Sequence, residues 1–299
     1  MIRMETQTDY TELIEKYCRP LAPLPTEVKA RVRPLKHIRA LICDIYGTLL
    51  VSSSGEIGTG DPRTRVSVLR DLLGEAGIVA ADEHAEYLAG DPLALEIGAA
   101  HRRSKLQGEE YPEVEILNVW NTVLDKLGVT HERAFVEKLA LAYELRTNPI
   151  WPMPDAGEVI VQLERNNILL GIVSNAQFYT QPIFEGLLHR DLSQMGFKPD
   201  LTVFSYRKLC AKPSPRLFKS LLLPLKNHYG LDPSEVLYIG NDMLNDMLPA
   251  RECGYRTALF AGDARSLRLR NDIPACAKLT PDVTLTDLKQ LLKVIVPKR

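Results

Sequence analysis

From Ile38 to Ile45 the chain is short, mostly apolar and closed by Tyr46-Gly47-Thr48. Such a run predicts a strand buried on both faces, as in a parallel sheet. After Leu50 the pattern changes. Ser52 to Gly60 is a Ser/Gly loop, and Asp61-Pro62 reads as a helix start, a capping carboxylate followed by proline in the first turn. Helical spacing then predicts helices from Asp61 to Leu73, Pro92 to Lys105, Pro112 to Leu127 and His131 to Arg146, with no convincing strand among them. Asn148 to Asp155, with three prolines, reads as a hinge linker.

Beyond it apolar runs alternate with amphipathic stretches. Strands are predicted at Ile168–Val173, Leu201–Phe204, Val236–Gly240, Thr257–Phe260 and Val283–Leu285. Helices are predicted near Ala156–Arg165, Pro182–Leu188, Arg216–Tyr229, Asn245–Cys253 and Asp287–Ile295. This alternation predicts an α/β fold with a doubly wound parallel sheet and right-handed crossovers. The isolated first strand belongs in that sheet, because a lone buried strand is not stable alone. The expected organisation is a core from 37–51 and 149–299, an inserted all-helical cap domain at 52–148, and an N-terminal arm at 1–36. The arm has a short helix (Tyr10 to Cys18) followed by Pro20, Pro23, Pro25 and Pro34.

Composition adds exclusions. Of 299 residues, 37 are Lys or Arg and 38 are Asp or Glu, a net charge of −1, which argues against broad electrostatic binding to nucleic acid or anionic lipid. The five cysteines form no CxxC pair and read as reduced thiols in a cytoplasmic protein without structural zinc. No apolar run approaches the roughly 18 residues of a membrane span, and the polar N-terminus lacks a signal-peptide pattern.

In open parallel sheets ligands bind beyond the carboxyl ends of the strands. There the chain places Asp44, Tyr46, Gly47 and Thr48 after the first strand, and Ser174 and Asn175 after the second. Lys212 follows the third past a loop, and Asn241, Asp242 and Asp246 follow the fourth. The set is chemically coherent. A strand-end carboxylate can be a nucleophile, a hydroxyl beside free N–H groups can hold an anionic oxygen, and a lysine can neutralise it. Further carboxylates can hold a hard cation, magnesium for a phosphoryl substrate. Gln177, Phe178 and Tyr179 follow the second strand at the expected cap–core cleft, where Gln177 is a candidate substrate contact. Arg265, Arg268 and Arg270 read as surface charge, and Trp120 and Trp151 as packing anchors.

The runs CDIYGTLL, VSN, AKPSP and IGNDMLND, in that order and each near a predicted strand end, resemble the motifs of the haloacid dehalogenase-like hydrolase superfamily over roughly residues 38 to 295. The helical insert is similar to the cap of one branch. The resemblance implies Asp44 as aspartyl nucleophile, the Tyr46 carbonyl as metal ligand and Thr48 as support for the nucleophile loop. It implies Ser174 and Asn175 at the transferred group, Lys212 as charge stabiliser, and Asp242 and Asp246 at magnesium, directly or through water.

Two departures keep three readings open. Tyr46 stands where most phosphatases of the superfamily carry a second Asp as general acid/base, and a phenol, with an ordinary pKa of about 10, is a poor replacement. Tyrosine there resembles the 2-haloacid dehalogenase branch, whose halide leaves without protonation. Conversely, the acidic fourth motif is retained, with Asn241 at its usual first Asp. Either a bulge brings Asp242 to the metal, or Asp246 works with Asn241. The leading expectation is a magnesium-dependent hydrolase of a small phosphorylated, anionic metabolite. The alternatives are a metal-free dehalogenase-type hydrolase and a non-catalytic regulatory module.

Overall fold

The computed structural model describes residues 9–55, 61–78 and 81–296. The N-terminal segment up to Thr8 and the Glu56–Gly60 part of the Ser/Gly loop lie outside the described residues. Among the described residues there are eight strands: β1 (Ala40–Cys43), β2 (Leu50–Ser52), β3 (Ile150–Pro152), β4 (Leu169–Ser174), β5 (Phe197–Phe204), β6 (Val236–Gly240), β7 (Arg256–Phe260) and β8 (Val283–Leu285). Six of them form one sheet in the order β5-β4-β1-β6-β7-β8, every pair parallel. This is the predicted α/β doubly wound sheet, and the strand from before the helical insert lies at its centre.

Side chains of β1 alternate between two cores. Leu41 and Cys43 pack with the Ala156–Arg165 helix, while Ala40 and Ile42 pack with residues of the Pro215–Lys219 and Leu248–Glu252 helices. All four are fully buried, the mark of a strand covered on both faces.

The insert is helical, with helices at Pro62–Glu75, Ala85–Ala89, Pro92–Leu106, Ile116–Lys126 and Arg133–Thr147. Asp61 caps the first of these, its carboxylate accepting the Thr64 N–H. The crossings between core and cap differ from a plain linker. β2 and β3 pair antiparallel, Leu50 opposite Pro152, so both passages of the chain form one short ribbon. Strands of three residues, one of them ending in proline, are too short for an alternation signal, which explains their absence from the sequence reading. The predicted helix Arg216–Tyr229 is broken into Pro215–Lys219 and Leu222–Tyr229, and the stretch after β6 opens with a π-helical turn, Met243–Met247.

The arm bridges the molecule. Helix Thr11–Tyr17 packs between cap helix Arg133–Thr147 and core helix Thr180–Leu188, and the following residues run to the core edge, where Thr26 Oγ1 donates to the Ala261 carbonyl (2.8 Å).

A buried polar cluster sits at the ribbon. Glu144 accepts from Asn148 Nδ2 (3.0 Å) and the Tyr179 hydroxyl (3.1 Å), while Asn148 Oδ1 accepts from Ser52 Oγ (2.8 Å). Burial pushes the Glu144 carboxyl from its ordinary 4.5 up to about 7. Between those values the folded protein keeps a proton that the unfolded chain has lost. Stability is therefore full below the lower value and falls as pH rises through the upper one, by roughly 3 kcal/mol in total. Glu144→Gln is expected to flatten this slope, read as urea midpoints that differ less between about pH 5 and about pH 8 than those of the wild type.

Candidate active site

Register brings the site together. Cys43 lies opposite Ile172 of β4 on one side and Ile239 of β6 on the other, so the residues just past these three strands converge. Asp44 follows β1 and continues the ladder with its N–H to the Ile239 carbonyl (2.9 Å). Its Oδ1 accepts from Ser174 Oγ (2.8 Å) at the end of β4 and from Lys212 Nζ (2.7 Å). Both bonds fall on one oxygen, leaving Oδ2 for an incoming group.

Lys212 also reaches Asp246 Oδ1 (2.6 Å), and all three ionised groups are buried. Burial opposes the ammonium charge, but the Asp246 and Asp44 carboxylates outweigh it and hold Lys212 above its ordinary range. For Asp246, burial raises the carboxyl and Lys212 pulls it back down. The loop carrying Lys212 is fixed by Asn175, whose Oδ1 accepts the Lys212 N–H (2.8 Å).

In the fourth motif the acidic side chains already have fixed partners. Asp246 Oδ2 accepts the N–H groups of Asn241 (3.0 Å) and Asp242 (2.9 Å), and Tyr238 donates to Oδ1 (2.9 Å). Asp242 turns to cap the π-helical turn and is gripped by Arg270 through Nε (3.2 Å) and Nη2 (2.7 Å). Arg270 is therefore a buried-site partner rather than surface charge. That fork-on-carboxylate pairing spans 28 residues and leaves no local pattern in the sequence. Asn241 remains, its Oδ1 accepting from Thr48 Oγ1 (3.1 Å) and its Nδ2 donating to the Ser266 carbonyl (2.6 Å).

These residues close around a cavity of about 90 Å³ lined by Asp44, Tyr46, Gly55, Asn175, Lys212, Asn241, Asp242, Asn245 and Asp246. Its three carboxylates face two fixed cations, Lys212 and Arg270, which leaves one net negative charge. Oxygen donors line it, the Asp44 carboxylate and the Asn241 side-chain amide among them. Hard oxygen donors with excess negative charge fit magnesium. Among the described residues no group of three or more His, Cys, Asp or Glu forms a metal cluster, so a cation here depends on amide and carbonyl oxygens as well.

Two expected residues serve otherwise. The Tyr46 hydroxyl bonds Thr180 Oγ1 (2.9 Å), and its ring is buried in the core. Gln177 is placed away from the cavity. Its amide bonds the Val114 carbonyl (2.8 Å), Glu113 (3.2 Å) and the Ile116 N–H (3.0 Å), all in the cap. It ties cap to core. A second cleft of about 690 Å³, lined in part by Asn121, His131, Phe178 and Tyr206, contains none of Asp44, Ser174 or Lys212. Tyr238 and Arg270 escaped the sequence reading. The only signal for Tyr238 is a hydroxyl-bearing residue inside an otherwise apolar strand, two positions before Gly240.

Two glycines are required by close approach. Gly47 has φ +78°, and a Cβ there would lie 2.4 Å from Ser266 Cβ. A Cβ on Gly240 would lie 2.4 Å from Asp246 Cγ. Gly240→Ala is expected to displace Asp246 and with it Lys212, lowering kcat by at least about 10²-fold while KM changes less. Steady-state kinetics check this.

The sequence profile of the haloacid dehalogenase-like hydrolases matches residues 38–254. An N-acetylmuramic acid 6-phosphate phosphatase of Pseudomonas aeruginosa is 32% identical over 108 residues, which span 36% of this chain and 43% of that relative. Among solved structures, a HAD phosphatase from Thermococcus onnurineus is similar with a TM-score of 0.49 at 19% identity, covering 86% of this chain and 97% of that one. The L-2-haloacid dehalogenase of Xanthobacter autotrophicus is similar with a TM-score of 0.45 at 19% identity, covering 85% and 96%. With the profile matched over most of its length, the chain belongs to the haloacid dehalogenase-like hydrolases.

Proposed function

We propose that the protein is a magnesium-dependent phosphohydrolase of a small anionic phosphorylated metabolite, working through an aspartyl phosphate on Asp44. The observation that carries this reading is the charge balance of the cavity, three carboxylates against two committed cations. A dehalogenase needs a free cation for the carboxylate of its haloacid. Among the described residues lining the cavity, the one cationic side chain is Lys212, already held by Asp44 and Asp246. The sequence similarity to a curated phosphatase supports the same reading.

Asp44 Oδ2 attacks phosphorus while Ser174 and Lys212 hold Oδ1 and fix the carboxylate plane. Lys212 faces the phosphoryl oxygens as a permanent cation. Asn175 keeps its loop in place. Magnesium, held by Asp44, the Tyr46 carbonyl and Asn241, would neutralise charge on the phosphoryl oxygens. Asp246 holds the lysine and the motif backbone rather than the metal. Five buried thiols without a disulfide, and no described helix long and apolar enough to cross a membrane, support a reducing, cytoplasmic setting.

One observation favours a second reading. Tyr46, like its dehalogenase-type counterparts, offers the cavity no acid, and halide needs none. An assay with p-nitrophenyl phosphate, acetyl phosphate and short 2-haloacids separates the two. Phosphate release that a chelator removes is expected. Halide release indifferent to chelator would overturn the proposal.

A further inference from the structure

The turn that follows β7 supports two parts of the site at once. The chain folds back after Asp263, whose carbonyl accepts the N–H groups of Ser266 (3.3 Å) and Leu267 (3.0 Å). Ser266 packs so closely on the turn after Asp44 that a Cβ on Gly47 would lie 2.4 Å from its own Cβ. Its carbonyl accepts Asn241 Nδ2 (2.6 Å), and the Asn241 carbonyl accepts the Arg268 N–H (3.0 Å).

The bond to Nδ2 has a chemical consequence. A side-chain amide carries an oxygen and a nitrogen, and only the oxygen is a ligand for a hard cation. The Ser266 carbonyl accepts and cannot donate, so it selects Nδ2. That leaves Oδ1, which also accepts from Thr48 Oγ1 (3.1 Å), as the atom a metal can use. The position of the Ser266 carbonyl therefore decides which way Asn241 is turned.

The turn is held in place by the N-terminal arm. Asp263 is buried, and its Oδ1 accepts the Arg265 N–H (3.1 Å) within the turn and the Leu24 N–H (3.0 Å) from the arm. The Leu24 carbonyl returns the bond by accepting the Ala264 N–H (2.9 Å). Arg265 Nη1 reaches both the Asp263 carboxylate (3.3 Å) and the Ala22 carbonyl (2.9 Å), so Arg265 braces the arm rather than merely charging the surface. One carboxylate thus joins two segments 239 residues apart in the chain.

Taking the magnesium-dependent reading above as given, we propose that Asp263 is a positioning residue for the metal site. Braced by the arm, it sets the turn that keeps the Asn241 amide oxygen available to magnesium. Asp263 is not among the residues lining the cavity, so its effect passes through Ser266 and Asn241.

The test titrates Mn²⁺, a paramagnetic stand-in for magnesium, into the substrate-free protein and reads the free ion by electron paramagnetic resonance. Each variant is measured well below its own melting temperature, where lost stability alone leaves the reading unmoved. Loss of a partner that orients a ligand side chain costs about 10–100-fold in metal affinity, so Asp263→Ala is expected to raise the Mn²⁺ dissociation constant at least about 10-fold. Asp263→Asn keeps an oxygen for the Leu24 and Arg265 N–H groups and is expected to stay within about threefold of the wild type. If Asp263→Ala does not fold, Arg265→Ala, which removes the brace to Ala22, is expected to weaken Mn²⁺ in the same direction. Affinity unchanged in the folded variant, or weakened equally by Asp263→Ala and Asp263→Asn, would overturn the inference and leave the phosphohydrolase reading intact. A wild-type protein that binds no Mn²⁺ would overturn both.

Discussion

Asp44→Asn is expected to lower turnover by at least about 10⁴-fold while the protein remains folded. The amide retains an oxygen in place of Oδ1, so Ser174 and Lys212 keep an acceptor, and the β1 backbone bond to Ile239 is untouched. What disappears is the nucleophilic Oδ2. A residual rate near the wild-type value would assign the chemistry elsewhere. Comparing kcat with a thermal melt of the same preparation separates lost chemistry from lost structure.

Lys212→Met is the second large effect, and it strikes stability as well as rate. The wild-type ammonium lies 2.7 Å from Asp44 and 2.6 Å from Asp246, both carboxylates buried. Removing one member of a buried ionic cluster typically costs about 3–5 kcal/mol, because the remaining charges keep their desolvation penalty. Asp246 is already raised by burial, and it would rise further without the lysine. The folded variant would then hold a proton that the unfolded chain has released. Its stability is therefore greatest in mild acid and falls as pH rises. Denaturant melts across the acid-to-neutral range are expected to show the gap to wild type widening upward. On the proposed function, activity should fall by at least about 10²-fold at every pH, since the cation assigned to the phosphoryl oxygens is gone.

The convergence of the candidate site was legible because strand ends are. A short apolar run stopping at Asp44, and another stopping at Ser174-Asn175, place polar groups where a parallel sheet puts its ligands, and the β4-β1-β6 order makes them neighbours. Lys212, Asn241 and Asp246 followed from the same logic. What could not be read were contacts made across the chain by residues whose local pattern says something else. Arg270 sits in a run of alternating arginines that resembles solvated surface, yet it neutralises Asp242. Glu144 lies on the buried stripe with Val136 and Ala140, and only its tertiary partners show why a carboxylate is tolerated there. Gln177 follows a motif residue closely enough to suggest substrate binding, but its amide is satisfied by cap backbone. The partners of Asp242 and Asp246 could not be read locally either, because they are two cations, Arg270 and Lys212, that arrive from other loops.

The central claim is that Asp44 carries the phosphoryl group. A single turnover with acetyl phosphate and magnesium, quenched in acid and followed by peptide mass spectrometry, tests it most directly. The account predicts one phosphoryl group on the peptide containing Asp44 and none on the Asp44→Asn protein. Turnover of acetyl phosphate with Asp44 unmodified throughout would contradict it.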